Sequence, residues 1–309
     1  MGAMRYVHVS ASGKINPALY VGDVREDGYH DLDIFFESLD IFDEIEARAC
    51  EGSEVSLVMQ GAAEGVPCDD TNLAVRAARL LQERYGVTQG VELTITKRIP
   101  VAGGMAGGSA DAAGALLACS ELWELGLGRD ELMELGAELG ADVPFCLLGS
   151  LARASGKGEV LHSIQPGYMH FWTLLTFPEG LSTPEVFNRL DALREEKGIH
   201  NSLETTREAA DKLEELLGQP DNSAFAPYMV NDLTEAVCAL RPELGEILER
   251  ISDMGLARIV SGAGPTIAIL SEDYETANAV ANHLIETVPE ATIKRANGPA
   301  AGAHLRHSE

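Results

Sequence analysis

Short runs suited to β-strands, several alternating apolar and polar residues, occupy residues 6–11, 32–39, 43–49, 54–59 and 91–97. A two-residue period is what a strand burying one face requires. Between these runs the period lengthens. Leu73, Ala77, Leu80 and Leu81 recur at helical spacing within residues 72–85, and Ala112, Leu116, Cys119 and Trp123 do the same within 111–125. A third helix is predicted over 130–139, stopped by Gly140, whose permissive φ suits a C-terminal cap. The pattern breaks at Ser155-Gly156-Lys157-Gly158, and an apolar strand follows at 171–177. Helices at 184–194, 203–217 and 243–254 then precede strands at 257–261 and 266–270, a helix at 274–287 and a last strand around Ile293. Strands separated by both hairpins and helices, without an internal repeat, read as an α+β chain of two units, 1–154 and 155–309.

Composition narrows the class. With 309 residues and 45% apolar content the chain can bury a large core. No stretch approaches the roughly 20 apolar residues that cross a bilayer, and the N-terminus carries no basic flank ahead of a hydrophobic signal core. A cytoplasmic protein with no membrane partner is expected. Met1-Gly2-Ala3 ahead of Met4 reads as an expression scar and is set aside. Five scattered cysteines with no CxxC pair argue against a zinc site or a disulfide framework. A formal charge of −26 excludes nucleic acid as a sequence-independent partner, because such binding depends on Lys and Arg at the phosphates. An anionic small molecule would therefore need local cations or a divalent metal. Adaptation to high salt accounts for the acidity equally well.

The richest segment is Pro100-Val101-Ala102-Gly103-Gly104-Met105-Ala106-Gly107-Gly108-Ser109-Ala110-Asp111-Ala112, a glycine turn between a strand and an alanine-rich helix. Glycines let the backbone take positive φ and approach a ligand, so several N–H groups can converge on a phosphate. A helix starting near Ser109 would add free N–H donors and the positive end of its dipole. No Gly-Lys-Ser/Thr follows, so the turn is not a Walker P-loop. Alanine at position 106 breaks the dinucleotide-binding spacing. A tight packing turn remains a second reading of the glycines alone.

Four further segments carry polar chemistry: Ser12-Gly13-Lys14-Ile15-Asn16-Pro17, Asp27-Gly28-Tyr29-His30, Gly140-Ala141-Asp142-Val143-Pro144 and Ser261-Gly262-Ala263-Gly264-Pro265-Thr266. Lys14 and Asn16, two apart, share a face if the segment is extended. Asp142 reads either as a helix cap or as a carboxylate aimed into a cleft, and Ser109 as a helix cap. Taken alone, Tyr29 and His30 are ordinary strand residues, Phe187 a core residue, Asn72 a helix start and Lys97 a strand end. The 261–266 segment alone is a tight hairpin.

In this order the motifs resemble the GHMP small-molecule kinases, from Ser10 to about Leu270. Lys-Ile-Asn, Asp-Gly-Tyr-His and Gly-Ala-Asp-Val-Pro are most similar to the branch acting on a cytidine diphosphate methylerythritol. The resemblance implies a two-domain fold, with an N-terminal nucleotide-binding domain over 1–154 and a C-terminal ferredoxin-like substrate domain over 155–309. It implies ATP and Mg²⁺, with Lys14 and Asp142 at the acceptor hydroxyl. Pro100, Gly103, Gly104, Met105, Ala106, Gly107, Gly108, Ser109 and Ala110 would surround the ATP phosphates, Ser109 reaching the metal, with Asn72 and Lys97 around adenine. Asn16, Tyr29, His30, Thr183, Phe187, Gly262 and Gly264 would hold the acceptor, His30 and Phe187 facing each other across the cytosine. Other GHMP kinases, for homoserine or mevalonate, and a catalytically silent nucleotide-binding regulator are the alternatives. Oligomeric state is left between monomer and homodimer. Ala263, often serine in the family, and Pro17-Ala18 depart from the pattern but leave its polar positions intact.

Overall fold

The computed structural model describes residues 5–308. The suspected scar at residues 1–3, and Met4 after it, lie outside them. The first half of the chain runs β1 (Tyr6–Val24), β2 (His30–Cys50), β3 (Val55–Gly61), α1 (Leu73–Tyr85), β4 (Gly90–Lys97), α2 (Gly107–Leu122), α3 (Arg129–Leu139), α4 (Val143–Leu148), β5 (Leu151–Ser155) and β6 (Val160–Ile164). The second half runs β7 (His170–Thr176), α5 (Thr183–Lys197), α6 (Leu203–Leu217), α7 (Asn222–Phe225), β8 (Val230–Asn231), α8 (Thr234–Leu240), α9 (Pro242–Arg250), β9 (Ala257–Val260), β10 (Ile267–Ser271), α10 (Tyr274–Thr287), β11 (Thr292–Gly298) and β12 (His304–Ser308).

Two sheets result. The larger has the order β12-β1-β2-β4-β3, with β5 and β6 continuing from β2 and β8 beside β1. The smaller, β11-β7-β10-β9, is antiparallel throughout. Its strands stand in the order last, first, third, second, with helices after the first and third, which is the ferredoxin-like arrangement. The expected boundary after residue 154 falls inside β5, and β6, β8 and β12 from beyond it join the larger sheet.

The expected strands at 32–39 and 43–49 form one element, β2, which pairs with β1 through breaks in register. Ser12 faces Phe42 while Lys14 faces Ser38, and Ile15 faces Glu37 while Ala18 faces Phe35. The second break puts an extra residue on β1 at Asn16-Pro17. A bulge is where a proline, lacking an N–H, can sit inside a sheet.

Helix α2 is buried almost all round, against α1, α3, α4, β1 and β2. Its small residues are the reason it can lie there: a Cβ at Gly114 would stand 2.5 Å from Ile45 Cδ1. The helix begins at Gly107 behind Ala106, so Ser109 lies within its first turn and is not its cap. Gly140 does close α3, but with φ 177, an extended conformation open to any residue.

Candidate active site

Between β4 and α2 the backbone enters the left-handed region three times, at Ala102 (φ 54), Gly104 (φ 72) and Ala106 (φ 56). Glycine is required at 104 for a second reason. A Cβ there would lie 2.5 Å from the Ser261 carbonyl oxygen and 2.9 Å from that of Gly264. The first glycine loop thus rests directly on the second, residues 261–264, which Asn231 holds by donating to the Val260 and Gly262 carbonyls at 2.8 Å each. Gly103 and Gly107 are also confined by protein, a Cβ meeting Thr266 Oγ1 at 2.9 Å and Lys97 Nζ at 3.2 Å respectively. Gly108 differs. The nearest atom to a Cβ there is Leu73 Cδ1 at 3.9 Å, an ordinary contact, so a side chain has room at this position.

Beneath the loop, Lys97 Nζ donates to Asp43 Oδ2 at 2.5 Å, to Asp111 Oδ2 at 2.7 Å and to the Gly107 carbonyl at 3.2 Å. All three side chains are buried. Asp43 also accepts from the backbone N–H groups of Arg98 and Ile99. Burial pulls the Lys97 ammonium toward deprotonation, but Asp111 and Asp43 outweigh it and raise its pKa above the ordinary value. Burial pushes the Asp111 carboxyl up to about 8, Lys97 opposing and Asp43 adding to the rise. This buried cluster ties β4, β2 and the start of α2 together under the glycine turn.

At the edge of the loop, Lys14 and Asn16 share a face of β1, as their spacing requires. Lys14 Nζ donates to Asn16 Oδ1 at 2.8 Å and to the Gly104 carbonyl at 2.9 Å, and Asn16 donates to the Phe35 carbonyl at 3.1 Å. Gly262 covers the pair, with φ 55 and room for a Cβ only 3.1 Å from Asn16 Oδ1. Asp142 Oδ2 stands 3.9 Å from Lys14 Nζ. Although Asp142 occupies the position preceding α4, its side chain makes no capping hydrogen bond. Its carboxylate is directed to the lysine instead.

These groups open into a cavity of about 650 Å³ whose other end is aromatic. His30 and Phe187 pack with ring centroids 5.1 Å apart, and His30 Nε2 lies 2.8 Å from Asp191 Oδ1. Tyr29, more than half exposed, follows an Asp27-Gly28 turn, and Lys157 Nζ sits 3.7 Å from its ring centroid. Lys157 also contacts Asp27 Oδ2 at 3.1 Å and holds that carboxyl below the usual carboxylate range. Ser109, Ala106, Thr183 and Gly264 also line the cavity.

The structure therefore gathers Lys14, Asn16, Tyr29, His30, Gly104, Ala106, Ser109, Asp142, Thr183, Phe187, Gly262 and Gly264 around one cavity. Pro100, Gly103, Met105, Gly107, Gly108 and Ala110 do not line it. Met105 and Ala110 are buried, and the Ala110 N–H is already given to the Ala106 carbonyl. Two side chains expected around adenine are committed elsewhere. The Asn72 amide caps α1 by accepting from Ala74 N–H at 2.8 Å and donates to the Pro67 carbonyl at 2.7 Å. Lys97 is held by its two aspartates. Lys157 and Asp191 line the cavity without having been singled out, because neither belongs to a motif and only the fold brings them to His30 and Tyr29.

GHMP kinases N terminal domain is the family description that matches residues 72–150, and GHMP kinases C terminal matches residues 210–290. A protein of Mycolicibacterium smegmatis named 4-diphosphocytidyl-2-C-methyl-D-erythritol kinase is 43% identical over 300 residues, covering 97% of this chain and 92% of that one. Its namesake in Nocardia farcinica is 44% identical over 300 residues, covering 97% and 96%. The chain belongs to the 4-diphosphocytidyl-2-C-methyl-D-erythritol kinase family of GHMP kinases. A crystal structure of a 4-(cytidine 5'-diphospho)-2C-methyl-D-erythritol kinase superposes with TM-score 0.73 at 30% identity, covering 95% of this chain and 100% of that one. A homoserine kinase from Cytophaga hutchinsonii reaches TM-score 0.77 at only 18% identity, covering 97% of each chain. The fold is thus shared beyond this branch, and sequence identity distinguishes the branch.

Proposed function

We propose that this chain transfers the γ-phosphoryl group of ATP to the 2-hydroxyl of 4-diphosphocytidyl-2-C-methyl-D-erythritol, a step of non-mevalonate isoprenoid synthesis. The observation that carries the reading is the meeting of Lys14 and Asp142, 3.9 Å apart, where the glycine loop joins an aromatic pocket. A phosphate donor on one side and a hydroxyl acceptor on the other would be brought together at this pair.

The residues divide the work. Asp142, uncommitted to any cap, accepts the hydroxyl proton as the new O–P bond forms and the bond from the γ-phosphorus to the bridging oxygen breaks, releasing ADP. Lys14 is fixed by Asn16 and by the Gly104 carbonyl, so its charge is already in place to offset negative charge on the transferring oxygens. Phosphoryl transfer depends mainly on such positioning and electrostatics. Gly108 and the first turn of α2 present the open face where phosphates approach a helix N-terminus. His30 and Phe187 form one wall at the cytosine end, with Tyr29 at its rim; their rings pack on each other at 5.1 Å between centroids, so they do not face each other across a base as expected.

A magnesium ion fits this arrangement as a companion of the nucleotide. Among the described residues no group of three His, Cys, Asp or Glu side chains could hold a metal. The cavity offers the Ser109 hydroxyl, a hard oxygen ligand that suits an ion retaining phosphates and waters. When bound, Mg²⁺ would neutralise phosphate charge in a protein that is itself strongly acidic.

ADP release measured with a panel of alcohols tests the reading. Rapid turnover is expected only with the cytidine-bearing acceptor. Comparable turnover of homoserine, mevalonate or free methylerythritol would refute it.

A further inference from the structure

The second glycine loop is a tight turn whose tip is held from outside. Its stem closes on itself, Gly264 N–H donating to the Ser261 carbonyl at 2.9 Å and Ser261 N–H to the Thr266 carbonyl at 2.9 Å. The peptide between Gly262 and Ala263, at the centre of the turn, has no bond within it. The backbone is left-handed at Gly262 (φ 55) and at Gly264 (φ 73), but not at Ala263. Four-residue turns occur in paired forms that differ by a flip of the central peptide, so a contact from outside can choose its direction. Asn231 makes that contact. It lies on β8, beside Ala18 and Leu19 of β1, and is buried. Its Nδ2 donates to the Val260 and Gly262 carbonyls at 2.8 Å each, and its Oδ1 accepts from Leu233 N–H at 2.9 Å. Both donors and the acceptor of the amide are thus used, and exchanging oxygen for nitrogen would set oxygen against two carbonyls.

A trans peptide is planar, with its carbonyl and its N–H pointing in opposite directions. The Gly262 carbonyl is drawn back to Asn231, so the Ala263 N–H points away from it. That N–H has no hydrogen-bond partner among the described residues. Gly262 and Ala263 both line the cavity, and a Cβ on Gly262 would stand 3.5 Å from Lys14 Nζ. We propose that Asn231 is a positioning residue for phosphoryl transfer: by holding the Gly262 carbonyl out of the site, it presents the Ala263 N–H to a phosphate oxygen beside Lys14. The inference rests on the phosphoryl transfer proposed above and adds a donor that needs no particular side chain at position 263. Without Asn231 the central peptide is free to turn. A carbonyl oxygen would then stand where the amide hydrogen had been, facing an anion.

The test compares wild type with Asn231→Ala and Asn231→Asp. Both substitutions remove the two donors, while Asn231→Asp keeps the shape and can still accept from Leu233. Loss of a preorganised donor at developing charge costs about 10²–10³ in kcat, so ADP release should show kcat lower by about tenfold or more in each variant. The KM for ATP should change by less than about threefold, as befits an interaction made in the transition state. A kcat within about twofold of wild type in either folded variant would overturn the assignment. Amide NMR puts the question to wild type alone. With a non-transferable ATP analogue and the cytidine acceptor bound, the Ala263 hydrogen should move downfield as it gains an anionic partner. In Asn231→Ala it should stay in place, although the amides of the Asp27-Gly28 turn still respond to the acceptor. An Ala263 amide that ignores the ligands in wild type would overturn the assignment whether or not the variants fold. If wild type phosphorylates homoserine and not the cytidine acceptor, the acceptor reading falls, and a loss of kcat for homoserine in Asn231→Ala would still support the role of the loop.

Discussion

Asp142 and Lys14 illustrate how little of a residue's role is contained in its immediate neighbours. Asp142 precedes a short helix in a Gly-Ala-Asp-Val-Pro context where a capping side chain would be ordinary, yet it makes no capping bond and faces the Lys14 ammonium. Replacing it by Asn preserves shape and removes the proton acceptor. Asp142→Asn should therefore lower kcat by about 10² or more, the lower range for acid–base roles, while calorimetry finds ATP binding retained. Lys14→Met should reduce kcat as well, since the charge beside the transferring group is lost. Near-normal turnover of purified Asp142→Asn would remove the carboxylate from the reaction. The buried group under the loop does structural work instead. Asp111, pushed up to about 8 by burial, sits with Asp43 on Lys97 under the loop. Its folded pKa lies above the unfolded value of about 3.9, so its contribution to stability is complete below that value and is lost as pH rises through about 8. Urea denaturation at pH 5.5 and pH 9 should show wild type losing more stability over this interval than Asp111→Asn. An equal loss in both proteins would contradict the shift.

At the scale of elements, the glycine loop separates positions required by the fold from one with room for a side chain. Gly104 is in contact with the second glycine loop, whereas a Cβ at Gly108 would make only an ordinary contact, 3.9 Å from Leu73 Cδ1. Gly108→Val should therefore fold and lose ATP affinity. Gly104→Val should lose stability, because it combines a positive φ with a collision against backbone. Calorimetry and thermal denaturation of the two variants distinguish these outcomes, and unchanged ATP affinity in folded Gly108→Val would place the phosphates elsewhere. The sequence was most legible where a helical run is long: α6 and α10 occupy the expected residues, 203–217 and 274–287. It was least legible where partners are distant. The 32–39 and 43–49 runs merge into β2 because β1 bends with them through bulges, and β12 becomes a strand only by pairing with β1 at the other end of the chain. The site divides in the same way. Lys14, Asn16, His30 and Asp142 stood in recognisable motifs, whereas Asp191, Lys157 and Asn231 are single polar residues on helices, turns and a two-residue strand, placed only by tertiary packing.

For the whole molecule, the decisive relation is between the two sheets, because His30 belongs to the larger one while Phe187 and Asp191 follow the smaller one's first strand. A buried polar bridge joins them. Glu37 on β2 has no exposed surface, accepts from Trp172 Nε1 at 2.8 Å and lies 2.8 Å from His170 Nδ1, both partners belonging to β7. A carboxylate this deep is tolerable only while both contacts persist. His170→Phe keeps a ring of similar size but leaves Glu37 with Trp172 alone, and stranding a buried charge in this way costs about 3–5 kcal/mol. Glu37→Gln is a milder change, because its amide oxygen can still accept from Trp172 and its amide nitrogen can donate to a neutral His170. Combining the two substitutions removes the stranded charge altogether. Urea denaturation should therefore rank wild type above Glu37→Gln, and the double variant above His170→Phe alone, despite its extra substitution. A double variant less stable than His170→Phe would mean that Glu37 holds the sheets together by shape and hydrogen bonding, with no buried charge to relieve.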